Sequence, residues 1–136
     1  MQLSKRAQAV LEGAQHQGEA AGRGYLLPVS MLLSLLGESD TLDGALLKLK
    51  LPREAFIAEA RSALADDDYA IQESFFAKGI LARAEAIDRG TPEHTVTANA
   101  IARALLEARP PSLIRILGAF SCTIDEMAAA LDADLD

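Results

Sequence analysis

The chain has 136 residues, of which 50% are hydrophobic and 4% aromatic, so Leu, Ala and Ile in helices are expected to build its core. This length suits one domain, or two small halves that share one core. The formal net charge of −7 argues against a nucleic-acid partner, because phosphate binding requires clustered Lys and Arg.

Membrane and secretory segments are not expected from the sequence. No apolar run approaches the roughly 20 residues that a membrane-spanning helix needs. The first residues, Met-Gln-Leu-Ser-Lys-Arg, lack the apolar core of a signal peptide. The single cysteine, Cys122, excludes an internal disulfide and a cysteine-rich zinc site. We therefore expect a cytoplasmic protein with no membrane partner.

The first half of the chain predicts four helices. Ser4 is a suitable N-cap for the first helix, and glycines at 22 and 24 are typical of its end. Pro28 suits the first turn of the second helix because it has no N–H to leave unpaired there. Ser39 or Asp40 can cap the third helix, and Pro52 opens the fourth.

An acidic run at 66–68 follows and is predicted to be the linker between the two halves, because adjacent acids repel one another and favour solvent. These acids also favour the start of the next helix through its dipole.

The second half repeats the first at a shift of 70 residues. Apolar residues of the first helix in each half align at this shift, and they are Ala7, Val10, Leu11 and Ala14 with Ala77, Ile80, Leu81 and Ala84. The shift also aligns Leu36 with Leu106, and both are expected in the core. After Pro110 and Pro111 the shift becomes 71, which implies one inserted residue. Thr97 is a plausible cap, and Thr123 with Glu126 forms a capping box.

We interpret the chain as an all-α tandem duplication with pseudo-twofold symmetry and about eight helices. Repeat one covers 1–65, the acidic linker 66–68, and repeat two 69–136. The halves are expected to pack face to face, because neither has much core alone. The alternative is that a helical chain rich in Leu and Ala matches itself by chance.

These residues resemble the Clp N-terminal domain, the two-repeat helical module of Clp-type AAA+ unfoldases. The family's Arg-Ala-x-x-Val-Leu reads Arg6 to Leu11 here, and its Gly-His-x-Tyr loop corresponds to Gly-Arg-Gly-Tyr at 22–25. The resemblance covers nearly the whole chain. It implies a docking module for substrates or adaptor proteins, with the AAA+ ATPase module in cis or in trans.

The family's Thr-Glu-His is absent from both halves. Pro28-Val29-Ser30 and Ala98-Asn99-Ala100 stand in its place. In some relatives these glutamates help to receive phosphoarginine-marked substrates or adaptors. A guanidinium group requires an acid, which Val29 and Asn99 do not supply. We therefore expect poor phosphoarginine binding, unless other acids such as Glu73 or Glu93 have taken over.

No constellation for catalysis, cofactor binding or metal binding is found in the sequence. The chain contains no Gly-x-x-x-x-Gly-Lys-Ser/Thr phosphate loop, and the glycines near position 22 follow no strand. His16 and His94 lie in different halves without partners at metal or catalytic spacing. Cys122 aligns with Leu51, a core position, where a thiol usually behaves as a small hydrophobe. We expect no enzyme activity and no cofactor.

Phe75 and Phe76 occupy the positions that hold Lys5 and Arg6 in repeat one. One interpretation is a docking patch for a partner's helix or extended peptide, with Val29 and Asn99 as its neighbours. The other is that both rings fill the gap where Leu3 packs in repeat one, since the counterpart of Leu3 is Glu73.

The function expected from the sequence is a protein-interaction module for an AAA+ unfoldase. One alternative is a free-standing regulator or adaptor that competes for the same partners. Another is a helix-turn-helix DNA-binding protein, because the segments at 97–105 and 123–131 look like fragments of such repressors. The aspartates at 132, 134 and 136 would repel phosphates and argue against it.

Overall fold

The computed structural model describes residues 2–23, 26–88 and 95–133. These ranges contain nine helices, α1 (Lys5–Ala20), α2 (Pro28–Leu35), α3 (Asp40–Lys48), α4 (Arg53–Leu64), α5 (Asp67–Gln72), α6 (Phe76–Ile87), α7 (Ala98–Glu107), α8 (Pro111–Gly118) and α9 (Ile124–Ala133). Two strands of two residues each, β1 (Gln2–Leu3) and β2 (Thr95–Val96), pair in parallel, with Gln2 opposite Thr95. The all-α prediction is confirmed, and this small strand pair was not predicted.

Helices α1, α3 and α7 begin where a side chain accepts a free N–H group of the first turn. Ser4 Oγ accepts from the Ala7 N–H at 3.0 Å, and Thr97 Oγ1 accepts from the Ala100 N–H at 3.1 Å. Ser39 caps α3 through the N–H of Leu42 at 3.2 Å.

The capping box before α9 is confirmed in both directions. Thr123 Oγ1 accepts from the N–H of Glu126 at 3.1 Å, and Glu126 Oε1 accepts from the N–H of Thr123 at 3.2 Å. These bonds fix where the last helix starts.

The acidic run at 66–68, predicted as the linker, is itself part of a helix start. Asp66 Oδ1 accepts from the Asp68 N–H at 2.9 Å, and α5 begins at Asp67. The negative charges therefore lie at the N-terminal end of α5, where the helix dipole stabilises them. This short helix is the one that the prediction of about eight helices did not include.

The helix contacts repeat between the halves and also cross between them. In repeat one α1 packs on α2, and in repeat two α6 packs on α7. The third helix of each half packs on the fourth helix of the other, so that α3 contacts α9 and α8 contacts α4. The central helices α2 and α7 contact each other. This reciprocal arrangement is the pseudo-twofold symmetry that the sequence predicted.

A left-handed backbone conformation recurs in the two halves at the 71-residue shift. Lys50 and Ser121 stand at equivalent positions after α3 and α8, and each has a φ of 56°. Gly37 and Arg109, in the turns after α2 and α7, also have positive φ, 89° and 49°, but they are 72 residues apart and do not align at either shift. A positive φ is unfavourable for residues other than glycine. Its recurrence at Lys50 and Ser121, 71 residues apart, therefore supports a duplicated chain path.

One hydrophobic core lies between the halves. Its largest fully buried side chains include Phe56, Met31, Leu35, Ile101 and Leu105. Leu106 belongs to this core, but Leu36 is only partly buried at its edge, which corrects the expectation that both lie in the core. Cys122 is buried as expected, and burial is the main reason that the pKa of its thiol is raised. Within the described ranges, no helix has the length and apolar character to cross a membrane.

Candidate functional site

Three of the four sequence-predicted site residues lie in two places that the pseudo-twofold relates, and the fourth, Val29, lies in the core. Asn99 lies in a surface groove of about 340 Å³ at the start of repeat one. We name this the polar groove, and its lining residues are Ser4, Lys5, Arg6, Glu38, Asp40, Thr97, Ala98 and Asn99. Phe75 and Phe76 lie at the equivalent start of repeat two.

The side-chain oxygen of Asn99 is already used within the fold. Asn99 Oδ1 accepts from Ser39 Oγ at 2.8 Å and from Thr41 Oγ1 at 3.2 Å. Arg6 in the same groove donates to Asp40 Oδ1 at 3.0 Å. Asn99 therefore joins α7 to the start of α3, and the Arg6–Asp40 pair largely cancels the charge of the groove.

Val29 has the least accessible position of the four predicted residues. Its side chain is 2% exposed and belongs to the hydrophobic core. Val29 is thus a packing residue of α2, and it offers no surface to a partner in this conformation. The structure therefore does not place Val29 and Asn99 side by side at the surface, as the predicted docking patch requires.

The two phenylalanines have different environments. Phe75 is 85% exposed, whereas Phe76 is half-buried and packs against the core. Of the two rings, Phe76 therefore packs against the core and Phe75 does not. Phe75 contributes almost no buried area to the fold.

Glu73, the counterpart of Leu3, is the anchor that sequence reasoning missed. Glu73 is 1% exposed, and its Oε2 accepts from the Ser112 N–H at 2.8 Å while its Oε1 accepts from Ser112 Oγ at 2.6 Å. Helix α8 follows Pro110, which makes no side-chain cap, so Glu73 caps this helix from outside. Burial raises the pKa of Glu73, although the two bonds from Ser112 oppose the increase.

Two exposed apolar side chains stand two residues before and two residues after the buried Glu73. We name Ile71 and Phe75 the apolar patch, and they are 71% and 85% exposed, while Ile114 on α8 is 52% exposed. The Glu73–Ser112 bonds bring the 71–75 segment against the first turn of α8, which carries Ile114. The repeat comparison could have identified Ile114, because its counterpart in repeat one is Asp43.

Further contacts on the same side hold α5 against α8. Arg115 Nη1 donates to Asp66 Oδ2 at 3.1 Å, and its guanidinium group lies 5.5 Å from the centre of the Tyr69 ring. The charge of Arg115 is thereby balanced and its flat face is covered. These two contacts join the 66–69 segment to α8.

Comparisons with known proteins give a fold assignment. No protein-family model matches the chain, and no curated protein sequence matches it. Among solved structures, the Hsp104 N-terminal domain from Candida albicans is similar, with a TM-score of 0.76 over 96% of this chain and 89% of that one, at 17% identity. The chain therefore has the all-α fold of a Clp-type N-terminal domain. This similarity confirms, at the level of the fold, the resemblance that Arg6 to Leu11 indicated.

Proposed function

We propose that this chain is a protein-interaction module that docks substrates or adaptor proteins for a Clp-type AAA+ unfoldase. The similar solved domain comes from Hsp104, an unfoldase of this type, which supports the proposal. The observation that carries it is the exposure of Phe75 on that fold. A phenyl ring exposed to this degree costs solubility and adds little to folding, so a binding role accounts for it better than packing does.

The size of the patch fits a weak, reversible complex. Burying one large apolar side chain against a partner contributes about 1.5–3 kcal/mol. For Phe75 alone this is a meaningful share of the roughly 8 kcal/mol of a micromolar complex. Docking of this kind requires no cofactor. The ATPase is expected to be a separate module, in cis or in trans.

The experiment fuses the chain to the N-terminus of an active unfoldase ring. A Clp-type unfoldase without its own N-terminal domain is compared with a chimera that carries this chain there, with fluorescein-labelled casein as an unfolded substrate. We expect the chimera to process casein faster than the truncated ring at equal ATPase rate. Free chain added in trans is expected to slow the chimera by competing for casein.

Two variants provide the matched comparison. Phe75→Ser removes the most exposed ring of the patch, and Leu47→Ser removes an 80% exposed leucine on α3, outside the patch. Phe75→Ser should remove the gain of the chimera, and Leu47→Ser should keep it. A chimera that folds, as judged by circular dichroism, but shows no gain over the truncated ring would contradict the proposed function.

A further inference from the structure

We propose that a groove between α7 and α9 binds one large apolar side chain from an uncharged segment of a substrate protein. We name it the α7–α9 groove, and its lining residues are Arg103, Leu106, Glu107, Arg109, Ile124, Asp125, Ala128 and Leu131. The inference rests on the proposed docking function and adds a second site to it, apart from Phe75. It follows from the apolar floor of the groove, from its volume and from the pairing of its charged residues.

The floor of the α7–α9 groove is apolar and comes from both helices. Leu106 of α7 is 3% exposed, and Ile124 and Leu131 of α9 are 5% and 3% exposed, so the core fixes all three in place. Ala128 stands between Ile124 and Leu131 on one side of α9, because residues three and four apart share a helix face. Ala128 is half-buried, and its methyl group leaves space above this floor.

The space beside Ala128 distinguishes repeat two from repeat one. Ala128 aligns with Ile57 at the 71-residue shift, and Ile57 packs against the core. Leu131 aligns with Ala60, so the larger side chain stands about one turn later in repeat two. Apolar volume is thus displaced along the fourth helix of the repeat, and a groove lies where repeat one carries Ile57.

The volume of the groove fits one apolar side chain. It is about 240 Å³. Pockets for drug-sized ligands usually measure about 300–1,000 Å³, so a ligand of that size is not expected here. A cavity of about 150 Å³ lined by Leu, Ile and Phe is large enough to bind benzene. A leucine or phenylalanine side chain is therefore the size of group that the groove accepts.

Ion pairs flank the apolar floor and join the two helices. Arg103 of α7 pairs with Asp132, and Arg109, just after α7, pairs with Asp125. Asp125 and Asp132 are seven residues apart on α9, which corresponds to about 10 Å along the helix. Ala128 lies between them in the chain, so the two ion pairs border the open space on either side.

The charges of the lining residues favour a neutral occupant. Glu107 lies 2.6 Å from Nε of Arg83 and 3.7 Å from Nε of Arg103. Each charged residue that lines the groove thus has a partner of opposite charge. A charged ligand would have to break one of these ion pairs, whereas an apolar side chain displaces only water. The net charge of −7 also opposes the approach of a second copy of the chain.

The test titrates the full chain, isotope-labelled at its methyl groups, with amino-acid derivatives in NMR. N-acetyl-leucine amide is the large neutral probe, and N-acetyl-alanine amide is the small neutral one. The corresponding lysine and glutamate derivatives carry a charge. Methyl signals of Leu106, Ile124 and Leu131 report on the groove. The methyl signals of Leu47, an exposed leucine on α3, report on non-specific contact.

We expect saturable shifts of the groove methyl signals with the leucine derivative, with a dissociation constant of about 5–100 mM for the burial of one side chain. The other three derivatives should bind at least about fivefold more weakly. Ala128→Ile introduces the side chain that Ile57 provides in repeat one, so it should fill the groove and abolish the shifts. Ala129→Ile, at the exposed neighbouring position of α9, should retain them.

Four results would overturn the inference. Equal binding by the natural chain and by a folded Ala128→Ile variant contradicts this location, and so do shifts at Leu47 as large as those at Ile124. Equal affinity for a charged derivative contradicts a neutral occupant. The absence of saturable shifts in the natural chain contradicts the site without any variant. A dimer in sedimentation that Ala128→Ile abolishes would make a second copy the occupant.

The casein assay separates this inference from the proposed function. In the chimera, Ala128→Ile should raise the KM for casein several-fold and leave kcat unchanged, because it removes a contact with substrate and not the activity of the ring. Leucine binding together with a chimera that shows no gain would contradict the docking function and leave the site standing. A gain that depends on Phe75, without leucine binding, would contradict the site and leave the docking function standing.

Discussion

The first helices of the two repeats begin within one residue of equivalent positions and have opposite surface chemistry there. In repeat one Lys5 is exposed and Arg6 pairs with Asp40, whereas in repeat two Phe75 is exposed and Phe76 packs on the core. The inward residues of the first helices, such as Ala7 and its counterpart Ala77, stay small and apolar. The comparison shows that the shared core constrains inward positions and leaves outward positions free to become a binding surface.

The two repeats also cap their third helices in related ways with residues that are not equivalent. Beside the Ser39 cap of α3, Asn99 Oδ1 accepts from the N–H of Thr41 at 3.4 Å, and Glu73 accepts from the N–H and Oγ of Ser112 at the start of α8. Thr41 and Ser112 align at the 71-residue shift, but Asn99 and Glu73 do not align with each other. The need for a partner at each helix start is conserved in the fold, and different side chains meet it.

The largest expected effect compares equivalent leucines in the two repeats. Leu106→Ala should lower the free energy of unfolding by about 2–5 kcal/mol, because Leu106 is buried in the core. Leu36→Ala should cost less than about 2 kcal/mol, because Leu36 retains contact with solvent. Urea titration of both variants measures the difference. Equal losses would mean that the two repeats bury this position to the same extent.

A smaller loss of stability is expected when the Glu73 carboxylate, which caps α8 in repeat two, is removed. Glu73→Ala should cost about 1–3 kcal/mol, because it leaves the buried N–H of Ser112 without an acceptor. Leu3→Ala in repeat one removes packing at the edge of the core and no such acceptor. Urea titration at neutral pH compares the two losses. A loss for Glu73→Ala below that for Leu3→Ala would contradict the capping role.

The pH dependence of the same residue has a definite sign. Because burial raises the pKa of Glu73 above its ordinary 4.5, the folded state holds the proton more firmly than the unfolded state. The stabilisation from this residue is therefore complete below pH 4.5 and is lost as the pH rises through the raised pKa. The stability of the natural chain minus that of Glu73→Gln should fall with rising pH in urea titrations. A difference that grows with pH would contradict this.

The smallest effect expected is the binding of free phosphoarginine. Val29 is buried, Asn99 uses its oxygen within the fold, and Glu73 is buried against Ser112, so none of these offers a free carboxylate at the surface. Glu93 lies outside the described residues. Calorimetry should show a dissociation constant weaker than about 1 mM. Micromolar binding would show that another acid receives the guanidinium group.

Much of the fold could be predicted because helix signals are local. Capping residues such as Ser4, Thr97 and Thr123 set helix starts within one turn, and apolar spacing identifies inner faces. The 70-residue shift then indicated a shared core. The α5 helix was missed, because the repulsion of three adjacent aspartates suggested a linker when Asp66 in fact caps a helix.

The candidate site could be predicted only in part, because it depends on contacts between distant segments. Phe75 stood out because its counterpart is Lys5. The Glu73–Ser112 bonds join residues 39 positions apart, and no local pattern indicates them. The burial of Val29 likewise follows from the packing of α2 in the core. Alignment with a family motif gives the position of such a residue and not its exposure.

The central claim is that, at the start of repeat two, Phe75 binds a partner and Phe76 packs against the core. The most direct measurement compares Phe75→Ser and Phe76→Ser in thermal unfolding and in casein processing by the chimera. Phe75→Ser should abolish the gain in casein processing while its melting temperature changes by less than about 2 °C. Phe76→Ser should lower the melting temperature by several degrees. A Phe75→Ser chain that melts several degrees lower and still supports casein processing would contradict the account.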